Sequence, residues 1–119
     1  MKNGVNMATS TPSQRSSDVI ENSGPLWWKL NGRRALLGIR RQTAIGLGEI
    51  LLVELPEIGE EFEKGDLFGS LQTLSQSIFL EMPLAGRVTA VNIRLENNPD
   101  LVKTDAYGAG WLIQIELPV

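Results

Sequence analysis

The chain contains neither cysteine nor histidine. Disulfides, thiol nucleophiles and the usual zinc and iron–sulfur ligands are therefore excluded. The commonest general base near neutral pH is excluded as well. The aspartate and glutamate residues show no spacing typical of a calcium-binding loop. We therefore predict no metal site.

Strong net charge and long apolar runs are also missing. A net charge of -3 at pH 7 gives no bulk electrostatic support to a nucleic-acid partner. No apolar run approaches the length that spans a bilayer, and the N-terminus lacks the apolar core of a signal peptide. We predict no nucleic-acid partner, no membrane partner and a cytoplasmic location.

The 119 residues are enough for one domain, and their composition divides them into two parts. Residues 1–24 are rich in serine and threonine and hold few large apolar groups. Such a segment buries too little surface to offset the entropy cost of ordering it. We predict a disordered tail over residues 1–24 and one domain over residues 25–119.

Short apolar segments separated by turn residues dominate that domain. Leu26–Leu30 and Ala35–Ile39 flank Asn31-Gly32, a pair that favours a type I′ hairpin turn. Alternating apolar residues and flanking glycine or proline predict further strands, at residues 50–55, 67–74, 78–82, 87–95 and 111–117. The pattern predicts a β-sandwich or a flattened β-barrel.

Two parts of the sequence resemble the glycine cleavage system H protein, a lipoyl-domain family. The first is Gly48–Gly59 with Glu63–Asp66, and the second is Asn98–Val102 with Ala106–Trp111. The resemblance implies a mostly β, lipoyl/biotinyl-carrier-like flattened barrel (a barrel-sandwich hybrid) with one short helix at residues 41–47. It also implies a carrier that holds lipoate on one lysine, at the tip of a strand-turn-strand between the two parts.

That lysine is missing from this chain. Counting forward from Gly65-Asp66 and back from Pro83, without a gap, places the lipoyl position at Ser75. A serine cannot form the amide bond that holds lipoate, so we predict no cofactor. The family pattern Glu-Ser-Val-Lys-Ala-Ala is also changed on both sides of Ser75, and the acidic residue that lipoylating enzymes favour is now a glutamine. The flanking residues are Gln72, Thr73, Leu74 and Gln76.

Two further departures from the family pattern indicate a protein partner. A Ser-Asp pair just past the tip is replaced by Ile78-Phe79, and strand alternation should turn one of the two outward. Protein contact and a locally repacked core both explain this change. A Thr-Asp pair before the short helix is replaced by Arg40-Arg41, close in sequence to Arg33-Arg34. These four arginines indicate either a basic docking surface or a solvated positive face.

The preferred hypothesis is a non-lipoylated pseudo-carrier that acts as a protein-binding, scaffold or accessory subunit. Its partner would be a lipoate-handling, glycine-cleavage-like or biosynthetic enzyme, and self-association is left open. The alternative is a carrier with a different covalent attachment at Ser75, although the Asp-Ser pair typical of phosphopantetheine carriers is absent. An enzyme with Ser75 as nucleophile would need a base, and the chain has no histidine. We therefore predict that the chain is not an enzyme.

Overall fold

The computed structural model describes residues 20–119 and consists mainly of short β-strands. The strands are β1 (Glu21–Ser23), β2 (Leu26–Asn31), β3 (Arg34–Ile39), β4 (Ile50–Glu54), β5 (Glu61–Phe62), β6 (Leu67–Thr73), β7 (Ser77–Glu81), β8 (Gly86–Val91) and β9 (Ile113–Glu116). The helices are α1 (Arg41–Ile45), a 3₁₀ turn at Ile93–Glu96, and α2 (Leu101–Thr104).

The strands form two antiparallel sheets. The larger sheet has the order β1-β2-β3-β9-β8-β5, and the smaller has the order β4-β6-β7. The sheets do not close into a complete barrel, so the flattened barrel-sandwich expected from the sequence is confirmed. The described residues contain two short α-helices rather than the single one expected.

The core lies between the two sheets and contains mostly aliphatic side chains. Leu71 and Leu80 of the smaller sheet are fully buried, as are Leu37, Ile113 and Ile115 of the larger one. Inward-facing residues of two packed sheets fill the space between them in this way. The smaller sheet is therefore held mainly by one face, and its other face is available for contacts.

The first hairpin differs by one residue from the prediction. Asn31 pairs with Arg34 as the last rung of the ladder, so the two-residue loop is Gly32-Arg33 rather than Asn31-Gly32. Gly32 has a φ of 64°, a conformation that glycine adopts easily. Core packing explains the shift, because the register sets the Trp27 indole against Gly38, where any Cβ would collide with the ring.

The strand predicted at residues 87–95 is shorter than expected. It ends at Val91, and the chain then turns into the 3₁₀ segment Ile93–Glu96. The Asn92 side chain accepts a hydrogen bond from the Arg94 amide at 3.3 Å, an N-cap that favours a turn over further extension. Side-chain capping therefore overrides the alternating apolar pattern here.

The N-terminal boundary of the ordered domain lies earlier than residue 25. Strand β1 pairs with β2 through Glu21–Trp28 and Ser23–Leu26, so it falls inside the segment expected to be a tail. Most of that segment, residues 1–19, lies outside the described residues, and its disorder stays a prediction. None of the helices between residues 20 and 119 is long and apolar enough to cross a membrane.

Candidate functional site: the β6–β7 hairpin tip

The β6–β7 hairpin carries Ser75 at its tip. Gln72 and Ser77 form the last rung of the ladder, and the Thr73 amide then donates to the Gln76 carbonyl at 2.9 Å. The Thr73 hydroxyl accepts hydrogen bonds from the amides of Ser75 at 3.3 Å and Gln76 at 3.1 Å. Threonine commonly organises turns through such local bonds. The tip is therefore shaped by Thr73 and its immediate neighbours.

The side chains at the tip face solvent. Leu74 is 81% exposed, and Ser75 and Gln76 are also exposed. Within residues 20–119, no hydrogen bond involves the Ser75 hydroxyl. Among the described residues, no base therefore contacts the hydroxyl in the way that would activate it as a nucleophile.

No amine replaces the missing lysine at the tip. The hairpin from residue 67 to residue 81 contains no lysine. Lys64 borders a cleft beside Glu81, at the opposite end of β7 from the tip. The Lys103 ammonium donates to the Gly48 carbonyl at 2.6 Å. The residues at the tip do not fit lipoate, because they offer no amine for the amide bond.

A carboxylate that the sequence analysis did not single out lies beside Gln72. Strand pairing sets Glu54 opposite Ser70, and the Ser70 hydroxyl donates to the Glu54 carboxylate at 2.8 Å. The Gln72 amide nitrogen is 3.5 Å from the same carboxylate oxygen. Only the pairing of β4 with β6 brings these residues together, so no local sequence pattern could have indicated the contact.

Ile78 and Phe79 point in opposite directions. Ile78 is half-buried and packs against the core, whereas Phe79 is 63% exposed. Phe79 borders an open cleft of about 370 Å³, together with Ser23, Pro25 and Lys64. The outward member of the predicted pair is therefore Phe79, on the solvent-facing side of the smaller sheet.

The structure does not bring the four arginines together. Arg34 and Arg40 stand at opposite ends of β3, roughly 20 Å apart at the usual rise of a strand. Arg34 lies across the sheet from Glu116, and the Arg33 guanidinium donates to the Leu117 carbonyl at 3.0 Å. Arg33 also shares a cleft with Glu61, Glu63 and Glu116. The first arginine pair therefore lies near glutamate side chains.

The second pair is held near α1. Arg40 donates to the Gly24 carbonyl at 3.3 Å and to the Gln42 side chain at 3.1 Å. The Arg41 guanidinium lies 5.6 Å from the centre of the Tyr107 ring, a cation–π distance. Sequence reasoning missed Tyr107 because it comes from a segment 66 residues further along. The two arginine pairs therefore lie at separate positions on the domain, and their role in docking stays a prediction.

Metal chemistry finds no support among the described residues. Residues 20–119 contain no group of three or more acidic side chains that could hold an ion. The described features of this region are an exposed turn with the apolar Leu74 at the tip and, further along β7, the outward Phe79.

Comparison with known proteins identifies the family. A family model described as glycine cleavage H-protein matches residues 18–118. The chain belongs to the glycine cleavage H-protein family. It is 37% identical over 100 residues to the glycine cleavage system H protein of Rubrobacter xylanophilus, covering 84% of this chain and 79% of that protein. It is 40% identical over 91 residues to the glycine cleavage system H protein of Acidobacterium capsulatum, covering 76% of this chain and 70% of that protein.

A solved structure confirms the family fold. The crystal structure of a glycine cleavage system H protein from Mycobacterium marinum matches with a TM-score of 0.78 and 27% identity, covering 87% of this chain and 86% of that one. Membership of a family of carrier proteins agrees with the prediction that the chain is not an enzyme. The predicted absence of lipoate on this H-protein family member stays a prediction.

Proposed function

We propose that this chain is a non-lipoylated member of the H-protein family that acts as a protein-binding scaffold or accessory subunit. The observation that carries the proposal is the serine at the exposed tip of the β6–β7 hairpin, where the family resemblance places the lipoyl lysine. Without an amine, Ser75 cannot accept lipoate through an amide. The scaffold remains, and the swinging arm is lost.

The hairpin tip and its flanks supply the proposed contacts. Leu74 offers an exposed apolar group on a turn that Thr73 holds in one shape. A preorganised turn binds with a smaller entropy cost than a flexible loop. Arg41, stacked on Tyr107, supplies a fixed positive charge at a separate position. Arg33, Arg34 and Arg40 would act as separate rim contacts, because they do not form one surface with it.

The proposed partner is an enzyme of the kind that the family name indicates. Relatives are named as components of the glycine cleavage system, so we propose a glycine-cleavage-like, lipoate-handling or related biosynthetic enzyme in the cytoplasm. The chain would occupy a carrier docking site without delivering a substrate. Such a component could assemble a complex or compete with a lipoylated relative.

The first test is the intact mass of the protein purified from its native host. The expected mass is that of the bare chain, allowing for N-terminal processing. A lipoate ligase should leave the purified protein unmodified and should add lipoate to the Ser75→Lys/Gln72→Glu variant. That variant is the matched control, because it restores the family residues at the same tip. Lipoate on the native protein would contradict the proposal.

A mass increment that maps to Ser75 would instead support the alternative carrier with a different attachment. In that case Ser75→Ala would abolish function. The proposal predicts the opposite, because Ser75→Ala should leave binding to a glycine-cleavage enzyme nearly unchanged, whereas Leu74→Ser should weaken it about tenfold, as for a well-buried interface residue. Isothermal titration calorimetry measures both effects.

A further inference from the structure

The free edge of strand β7 differs from the other sheet edges. The residues described here contain four edge strands: β1, β5, β4 and β7. Protein sheets usually protect their edges by shortness, charge or bulges. Strand β1 has three residues and begins with Glu21, β5 has two residues, and β4 is interrupted between Ile50 and Leu52. Strand β7 has five residues with a single charge, at its last position.

The main-chain groups of β7 alternate in a defined way. Hydrogen bonds in an antiparallel pair occur at every second rung, and here Thr73 and Gln76 form a bonded rung. Ile78 and Leu80 therefore bond toward β6, and the N–H and C=O groups of Ser77, Phe79 and Glu81 point away from it. Met82 agrees with this alternation, because it again bonds inward, with Asp66 and Gly65.

Within residues 20–119, no main-chain hydrogen bond reaches this outward row. An open cleft of about 370 Å³ lies beside its C-terminal half, with residues 23–25 of the same chain on its lining. An unprotected row of donors and acceptors is a template for pairing with another strand. The unanswered question is which strand fits.

The edge is complementary to itself. When two copies of Ser77–Glu81 align antiparallel about Phe79, the two Phe79 residues face each other and Ser77 faces Glu81 of the other copy. All three outward-pointing residues then lie on bonded rungs, which gives about six main-chain hydrogen bonds. The register also keeps the two Glu81 carboxylates at opposite ends of the pair, so no like charges meet.

Side-chain packing favours the same register. Phe79, 63% exposed on the outer face, would gain an aromatic neighbour directly across the strand pair, which stabilises such ladders. On the inner face, the half-buried Ile78 would lie opposite Leu80 of the other copy, which is already fully buried in its own core. The pairing would therefore join the two smaller sheets into one sheet with six strands, three from each copy, and each subunit would keep its own core.

We propose that the protein forms a two-fold symmetric dimer by antiparallel pairing of its β7 edges, centred on Phe79. The dimer does not depend on whether Ser75 is modified, because Ser75 lies outside the paired segment Ser77–Glu81. A two-fold interface uses the same patch on each subunit, so residue 79 of one copy meets residue 79 of the other.

Sedimentation equilibrium of the full chain tests the proposal. The wild type is expected to approach twice the 13.1 kDa chain mass as its concentration rises. Phe79→Lys and Phe79→Glu should each weaken dimerisation by about tenfold or more, because they set like charges face to face. A mixture of the two variants should recover the dimer, because opposite charges then meet at the centre of the pair.

Two further variants separate a broken interface from a damaged fold. Phe79→Pro removes the ring and an outward-pointing donor but no hydrogen bond within the subunit, and edge strands tolerate such a proline, so circular dichroism should be unchanged while the dimer is lost. Leu74→Lys introduces the same positive charge as Phe79→Lys on the same hairpin, but outside the paired segment. It should leave the dimer intact. A monomeric wild type, or a mixture of Lys and Glu variants that stays monomeric, would overturn the proposal.

Discussion

The hairpin tip and the segment Asn98–Trp111 are held in opposite ways. The turn at the tip is held by hydrogen bonds of Thr73 to residues at most three positions away. The second segment is bound by distant residues: the Asn92 side chain donates to the carbonyls of Ala109 at 2.7 Å and Trp111 at 2.8 Å, and the buried Trp27 indole donates to the Ala106 carbonyl at 3.0 Å.

This difference shows which sequence matches describe fold and which describe function. A change in Asn98–Trp111 disturbs contacts that join several elements, so this part can resemble the family for structural reasons alone. A change at Ser75 disturbs almost nothing, because its side chain is exposed. The tip can therefore lose the family's chemistry while the fold is kept.

The largest expected loss of stability comes from a change in the segment Asn98–Trp111. A Cβ at Gly110 would collide with the Leu101 carbonyl and lie 2.9 Å from the Asp105 carbonyl oxygen. Because both neighbours are main-chain atoms that cannot move aside, Gly110→Ala should lower the free energy of unfolding by about 3 kcal/mol, measured by urea denaturation. Gly46→Ala is the control, since its nearest contact would be 3.6 Å and its expected change is within about 0.5 kcal/mol. Equal losses of unfolding free energy in Gly110→Ala and Gly46→Ala would refute the view that close main-chain contacts hold this segment.

The next effect concerns the buried amide of Asn92, which is 3% exposed. Asn92→Asp keeps the acceptor that caps the Arg94 amide but removes both donors and directs negative charge at two carbonyls. We expect a loss of about 2 kcal/mol in the free energy of unfolding. The exposed Asn97, directly after the 3₁₀ segment Ile93–Glu96, provides the same substitution as a control, with a change within about 0.5 kcal/mol.

The smallest effect belongs to the tip region. Gln72→Glu sets a second carboxylate beside Glu54 and should cost about 0.5 kcal/mol, since like charges across a strand pair repel each other. The cost should shrink in 1 M salt, because added ions screen charges near the surface. Gln76→Glu makes the same change of charge away from Glu54 and should show no such dependence on salt in urea denaturation. If Gln72→Glu lowered the free energy of unfolding more than Asn92→Asp does, the expected order of the three effects would be wrong.

The sequence was sufficient to predict the two-sheet fold and to place Ser75 in a turn between two strands. Apolar alternation carried the prediction of the strands, and glycine or proline that of most turns. The family resemblance placed Ser75 at the tip, where neither glycine nor proline occurs. The first hairpin turn was wrong by one residue, because the packing of Trp27 against Gly38 sets the register. Packing between distant residues is invisible to a local pattern.

The arginines show the same limit at the candidate site. Arg33-Arg34 and Arg40-Arg41 are close in sequence, but the six-residue strand between them separates the pairs. Arg41 finds its partner in Tyr107, and Gln72 lies beside Glu54, both through tertiary contacts. Strand alternation, in contrast, was sufficient to predict that one of Ile78 and Phe79 points outward, although it could not say which one; the structure shows that it is Phe79.

The self-contained turn at Thr73 has a practical consequence for protein engineering. Because its hydrogen bonds stay within the turn, an inserted peptide would not have to replace any long-range contact. Lengthening a surface loop costs little in closure entropy, and exposed loop tips accept insertions best. The tip between Leu74 and Gln76 is therefore a suitable place to graft a foreign epitope, displayed on a small scaffold that lacks cysteine.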